Sequence, residues 1–140
     1  METVGQFEPE TRQAVCETYE SLETAAREAV RASTREMGFD TSEYETRVTE
    51  DAITAAQNAL FASLLIAHVG TREEYENEVE DDIERIELGS ENVSNVAWHD
   101  VPFAETVLAT TFEVDPDPAV GMLRQHTFGQ VYRAVLEEDD

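Results

Sequence analysis

From Val15 onward, apolar and small side chains recur at steps of three and four: Val15, Tyr19, Leu22, Ala26, Ala29, Ser33 and Met37. That period predicts one helix near residues 10–37, opened by Pro9 and capped by Gly38. A second helix is predicted over 49–69, with Thr49 as N-cap and Glu50 and Asp51 complementing the dipole of its first turn. It is apolar nearly all round, which predicts a central element contacted on several sides. Gly70 closes it, and Thr71 with Glu74 forms a capping box for a third helix. Tyr75, Val79, Ile83 and Ile86 give that helix a narrow apolar stripe, and the rest of 73–87 is mostly acidic. The last helix is predicted over 117–136, with Asp117 as N-cap and Pro118 at its first position. Val120, Leu123, Thr127, Val131 and Ala134 form its inward face.

Residues 88–114 carry a mixed signal. Gly89-Ser90 breaks the chain, and Val93, Val96, Trp98 and Val101 alternate loosely. Pro102 suits the start of a short helix carrying Phe103, Val107, Leu108 and Phe112; the β-branched content also permits a hairpin. The short helix is the preferred reading. The expected fold is therefore a mainly α, single-domain bundle of four to five helices spanning 1–140, packed around the second helix. Residues 1–8 are read as a tail and 137–140 as a frayed acidic end, with an irregular segment near 88–102 whose Trp98 closes one end of the bundle.

Composition adds an environment. The chain of 140 residues holds 32 Asp and Glu against 9 basic residues, all of them Arg, for a formal charge of −23. Such a chain lacks the clustered cations that displace counterions from a nucleic-acid backbone, and it is repelled by an anionic membrane surface. Cys16 is the single cysteine, so no intramolecular disulfide forms. The start Met1-Glu2-Thr3-Val4-Gly5 lacks the pattern of an export signal, which points to the cytoplasm. Two windows carry no acid at all, Ala52 to Arg72 and Pro118 to Leu136. They are read as the parts of the chain hidden from solvent.

Candidate chemistry is sparse. Arg124 shares an arc with Val120, Val131 and Val135, so a guanidinium stands near the core. It is read as an ion pair with a carboxylate on another helix, or as an anion-binding group at the floor of a pocket. Met122, His126, Gly129 and Arg133 stack on the opposite face, and a glycine there suggests close helix packing or a homodimer seam. Trp98 and His99 form an aromatic and polar cluster outside the long helices. His68, His99 and His126 could hold a metal only by converging from separate elements, or as one pair assisted by Asp100 or Glu105. His68 otherwise shares a stripe with Gln57, Phe61 and Leu64 and reads as a satisfied core histidine. The acidic run 73–87 lacks the glycine turn of a calcium loop. No phosphate loop or nucleophile motif is present, so no residue is assigned a catalytic role and no cofactor is implied.

The Lys-free acidic composition resembles that of haloarchaeal proteins. The run Asn95-Val96-Ala97-Trp98-His99, with Arg124, Phe128-Gly129 and Tyr132-Arg133, is similar to a family of small haloarchaeal proteins of unknown function. The resemblance covers most of the chain, implies a cytoplasmic haloarchaeal origin and supplies no activity. The leading functional expectation is a non-enzymatic interaction or structural protein that self-associates through acid-free helix faces. The alternative is a small-molecule or metal-binding domain using Arg124, His126, Arg133 and Trp98-His99. Molar salt shortens the Debye length to about 3 Å and screens the self-repulsion of the acids. Dialysis into dilute buffer is accordingly expected to cost helix signal in far-UV dichroism; a fully folded protein without salt would contradict the salt-adapted reading.

Overall fold

The fold is a mixed α/β arrangement built on a five-stranded sheet, and not the helical bundle that the periodicity predicts. The computed structural model describes residues 1–36, 50–90 and 92–138. The expected caps at Gly38 and Thr49, and Asp139 and Asp140 of the frayed end, lie outside these.

The first eight residues supply an edge strand, β1 (Glu2–Val4). Two helices follow, α1 (Arg12–Ser21) and α2 (Glu23–Glu36), where a single long one is predicted. Thr11 caps α1, its hydroxyl accepting from the Ala14 amide. The second predicted helix is shorter than its apolar run: α3 spans Glu50–Leu64, and the chain then turns into β2 (Ala67–Thr71). Short apolar runs fit a buried strand as well as a helix, and here the strand wins by pairing with β1 and with the later hairpin. The capping box at Thr71 and Glu74 forms as read, opening α4 (Arg72–Glu78). The stripe Tyr75–Ile86 is divided, because the chain leaves the helix at Val79 and enters β3 (Glu84–Leu88).

The mixed signal of 88–114 resolves as the hairpin rather than the preferred helix. Strand β4 (Asn95–Val101) and β5 (Thr106–Phe112) pair antiparallel in the register Val101↔Thr106 to Asn95↔Phe112. Pro102–Ala104 form a 3₁₀ turn between them, and Glu105 closes the loop in the left-handed region at φ 49°. The sheet order is β1-β2-β4-β5-β3, antiparallel except for the β3–β5 pair. Four consecutive residues of β4, Val96 to His99, are buried because both faces of the strand are covered. That double cover erases the alternation of a half-buried strand.

One face of the sheet, bearing Ala67, Val69, Ala97, Val101 and Leu108, packs against α1, α3 and the C-terminal helices. Phe61 sits at the centre of that layer, its ring edge-on to Phe7, Tyr19, Phe128 and Tyr132 at 5.3–6.0 Å. The other face, bearing Val96, Trp98, Val107 and Ala109, packs against Tyr75 and Val79 of the α4 region.

The C-terminal helix starts two residues earlier than predicted, with Asp115 as cap and Pro116 at its first position. It runs as α5 (Pro116–Thr127), widens into a π turn over Phe128–Tyr132, and ends as α6 (Arg133–Glu138). A π turn takes an extra residue per turn and so rotates everything beyond it. Val120, Leu123 and Thr127 face inward as expected, but after the π turn the buried positions are Tyr132 and Val135, one residue later than the predicted Val131 and Ala134.

The displaced Tyr132 reaches across the core to His99. The His99 Nδ1–H donates to the Ile66 carbonyl at 2.6 Å, leaving Nε2 to accept from the Tyr132 hydroxyl at 2.6 Å. Burial pushes the imidazole pKa down and the phenol pKa up, so both stay neutral. Tyr132→Phe leaves the buried Nε2 without its donor and is expected to cost about 1–3 kcal/mol in urea unfolding in molar KCl. Unchanged stability would show that the link contributes nothing.

Candidate metal centre

On the α4 side of the sheet, strand pairing sets His68 directly beside Trp98, with Asp100 two residues further along β4 on the same face. The His68 ring stacks on Trp98, centroids 5.6 Å apart, and Trp98 in turn meets Tyr75 at 5.3 Å. Glu8 arrives from a third segment. Phe7 bridges Leu65 in parallel, its amide donating to the Leu64 carbonyl and its carbonyl accepting from the Ile66 amide. This fastening carries the next residue, Glu8, over the end of β2.

The three side chains converge on one nitrogen. His68 Nε2 lies 2.8 Å from Glu8 Oε2 and 3.6 Å from Asp100 Oδ2. One donor atom from each residue lies within 4.8 Å of the others, and all three residues are half-buried. Two donors bound about 2.1 Å from a common ion stand roughly 3–4 Å apart, so the separations need only small adjustment to enclose a metal. Glu8 and Asp100 belong to an open cleft of about 440 Å³ that continues past Glu78, Val79 and Pro102 to Glu105.

The electrostatics are those of a carboxylate-rich site with a single cation. The hydrogen bond to Glu8 holds the His68 pKa above its ordinary value, with smaller help from the charges of Glu8, Asp100 and Glu78. Burial pushes the Asp100 pKa up, as does the Glu8 charge, while His68 opposes them. Even with His68 protonated, the group of three carries one uncompensated negative charge.

The residues singled out in the sequence are dispersed. His68 joins Asp100, one of the acids named as an assistant, but Glu8 completes the group in place of a second histidine. His99, one position from Asp100, points to the opposite face of the sheet, where both its nitrogens are engaged. His126 is half-buried on α5, its Nε2 enclosed without a partner, so the three histidines do not converge. Trp98 is a buried mid-strand residue rather than a plug at an open end. Among the described residues Arg124 pairs with backbone carbonyls rather than a carboxylate: its Nε donates to the Leu65 carbonyl at 2.9 Å and its Nη2 to the Val4 carbonyl at 3.4 Å. It thus ties the end of α3 to the N-terminal strand. Arg133 lies over the Phe128 ring at 5.5 Å, and Gly129 faces open space. Glu8 was missed because nothing local to Gln6-Phe7-Glu8-Pro9 announces the bridge to Leu65.

In the presence of a chelator, the Glu8–His68 pair has a pH signature. A histidine whose folded pKa is raised stabilises the fold fully below the unfolded value near 6.5, and that increment is lost as pH rises through the folded pKa. The difference in thermal stability between wild type and His68→Gln is therefore expected to be largest at mildly acidic pH and to shrink towards alkaline pH. A difference independent of pH would contradict the pairing.

Among the described residues, no helix is long and apolar enough to cross a membrane. No curated protein and no solved structure shows significant similarity to the chain. A family model does match over residues 6–133, which includes Glu8, His68, Asp100, and the His99–Tyr132 link. The chain belongs to that family, a family of unknown function designated DUF5809.

Proposed function

We propose that this domain binds one divalent transition-metal ion through Glu8, His68 and Asp100. The observation that carries the reading is the convergence of three donor atoms, from three separate chain segments, within 4.8 Å of one another. One imidazole and two carboxylates form a mixed nitrogen and oxygen set suited to ions such as Zn²⁺ or Mn²⁺. Among the described residues, His68 is the one cation paired with either carboxylate, so a divalent ion would relieve their mutual repulsion where a protonated imidazole does so only in part. Three protein donors leave coordination positions open towards the cleft for water or a small ligand. The acid excess is read as adaptation to a salt-rich haloarchaeal cytosol, in keeping with the Lys-free composition.

The 2.8 Å contact between His68 and Glu8 favours a second reading, in which the cluster is an ion-pair latch holding the N-terminal segment on β2. One experiment separates the two. Equilibrium dialysis of the protein against Zn²⁺ and against Mn²⁺ in molar KCl is expected to show one equivalent bound. His68→Ala or Asp100→Asn should weaken that binding at least about tenfold, the loss of one of three ligands. An ion present at 100 times its dissociation constant adds about 2.7 kcal/mol of stability, so the thermal midpoint should rise with metal. Absence of stoichiometric uptake, or uptake indifferent to both substitutions, overturns the metal reading and leaves the latch.

A further inference from the structure

Where α1, α3 and the C-terminal helix meet, the helical layer opens into a second cleft of about 340 Å³, within the size range of small-molecule sites. Its floor includes Gln57, which shares the inward stripe of α3 with Ile53 and Phe61 and is only 8% exposed. A carboxamide in such a position is costly unless both of its ends are hydrogen-bonded. One end is. The Gln57 Nε2–H donates to the Tyr19 carbonyl at 2.7 Å, which fixes the other atom as the acceptor Oε1. Among the described residues no donor meets Oε1, and that oxygen is not sealed inside the protein. Asn58, the next residue, also lines the cleft and is held in the same manner. Its Oδ1 accepts from the Tyr19 hydroxyl at 2.6 Å, leaving the Nδ2 hydrogens without an acceptor among the described residues. Tyr19 therefore pins both amides and leaves one acceptor and one donor group for a ligand.

Charges of both signs line the same cleft without meeting. Arg133 shares it with Glu20, Glu23 and Glu137, yet among the described residues no ion pair joins Arg133 to any of them. Glu23 pairs instead with Arg27 at 3.0 Å. The Arg133 guanidinium lies over the Phe128 ring at 5.5 Å, a contact that uses its flat face and leaves its N–H edge for a carboxylate. Phe128 opens the π turn and Arg133 follows it directly, so the irregular turn forms part of the cleft wall. Turns of this kind inside α-helices recur at functional sites.

We propose that this cleft binds a small zwitterion of the α-amino-acid class, its carboxylate on Arg133 and its ammonium towards Glu20, Glu137 and the Gln57 carbonyl. The other classes of ligand each leave a group unsatisfied. A purely anionic molecule would meet Glu20 and Glu137 in a chain of net charge −23. A purely cationic one would be set against Arg133 and leave its donors unused. An apolar one would strip water from Gln57 Oε1 and Asn58 Nδ2 and return no hydrogen bond. A zwitterion meets both signs of charge, and Phe128 and Leu136 offer apolar surface to its side chain. None of Glu8, His68 and Asp100 lines this cleft, so the site is independent of the metal reading.

Thermal melts of the full chain in molar KCl, with each of the common L-amino acids in turn, test it. At least one is expected to raise the midpoint and to bind one equivalent by calorimetry. Its methyl ester and its N-acetyl derivative, each lacking one of the two charges, should bind at least about tenfold more weakly, the order of one charge-assisted hydrogen bond. Arg133 is exposed, so Arg133→Gln should leave the dichroism unchanged while weakening the amino acid at least about tenfold and abolishing its advantage over the ester. Glu20→Gln combined with Glu137→Gln should abolish the advantage over the N-acetyl derivative. Binding should persist in His68→Ala and in the presence of a chelator, even if no metal is taken up. The proposal is overturned by no midpoint shift with any amino acid up to roughly 10 mM, or by equal binding of the ester and N-acetyl forms. Binding that ignores the Arg133 and glutamate substitutions, or that His68→Ala abolishes, overturns it as well.

Discussion

Along β4, alternate side chains point to opposite faces of the sheet, and the rest of the structure depends on that two-residue period. Trp98 and Asp100 face α4 and the cleft; Ala97, His99 and Val101 face the helical layer. The strand can serve both sides because it is central, with β2 and β5 as neighbours and cover above and below. One position separates His99 from Asp100, yet the first is sealed in a neutral hydrogen-bonded chain to Ile66 and Tyr132, and the second opens on a cleft beside Glu8 and His68. Sequence adjacency here means physical separation by the thickness of the sheet.

The centre at Glu8, His68 and Asp100 is likewise a consequence of how the ends of the chain are fastened. Phe7 docks edge-on to Phe61 and pairs with Leu65, which fixes Glu8 over β2. Arg124 reaches from α5 to the Val4 and Leu65 carbonyls and holds the same junction from the other side. A guanidinium satisfied by backbone carbonyls needs no carboxylate, which is how a half-buried arginine is accommodated without an ion pair.

The π turn at Phe128–Tyr132 plays a comparable part for the C-terminal helix. By advancing the inward register by one residue it delivers Tyr132 to His99 and Val135 to the core, and it turns Ala134 outward. The cost of an irregular turn is offset by the buried hydrogen bond and by the contact of Tyr132 with Phe61. The same advance leaves Gly129, Gln130, Arg133 and Ala134 on the exposed side of the helix.

What the sequence by itself determined is local. The capping box at Thr71 and Glu74, the apolar spacing that marks Val15, Phe61, Val120 and Leu123 as inward-facing, and the presence of helices within 10–37, 49–69 and 117–136, though not their bounds, rest on signals a few residues apart. The acid-free windows mark chain that enters the core, although only one side of each helix in them does so. Tertiary structure decided the rest. Whether Ala67–Val69 continued a helix or paired as a strand, and whether 95–112 coiled or formed a hairpin, turned on partners distant in sequence, because a strand buried on both faces shows no alternation to read. Glu8 joined His68 and Asp100 through a bridge to Leu65 that leaves no trace in its neighbours, and the histidines stayed apart because the strand period puts His68 and His99 on opposite faces of the sheet while His126 sits on α5.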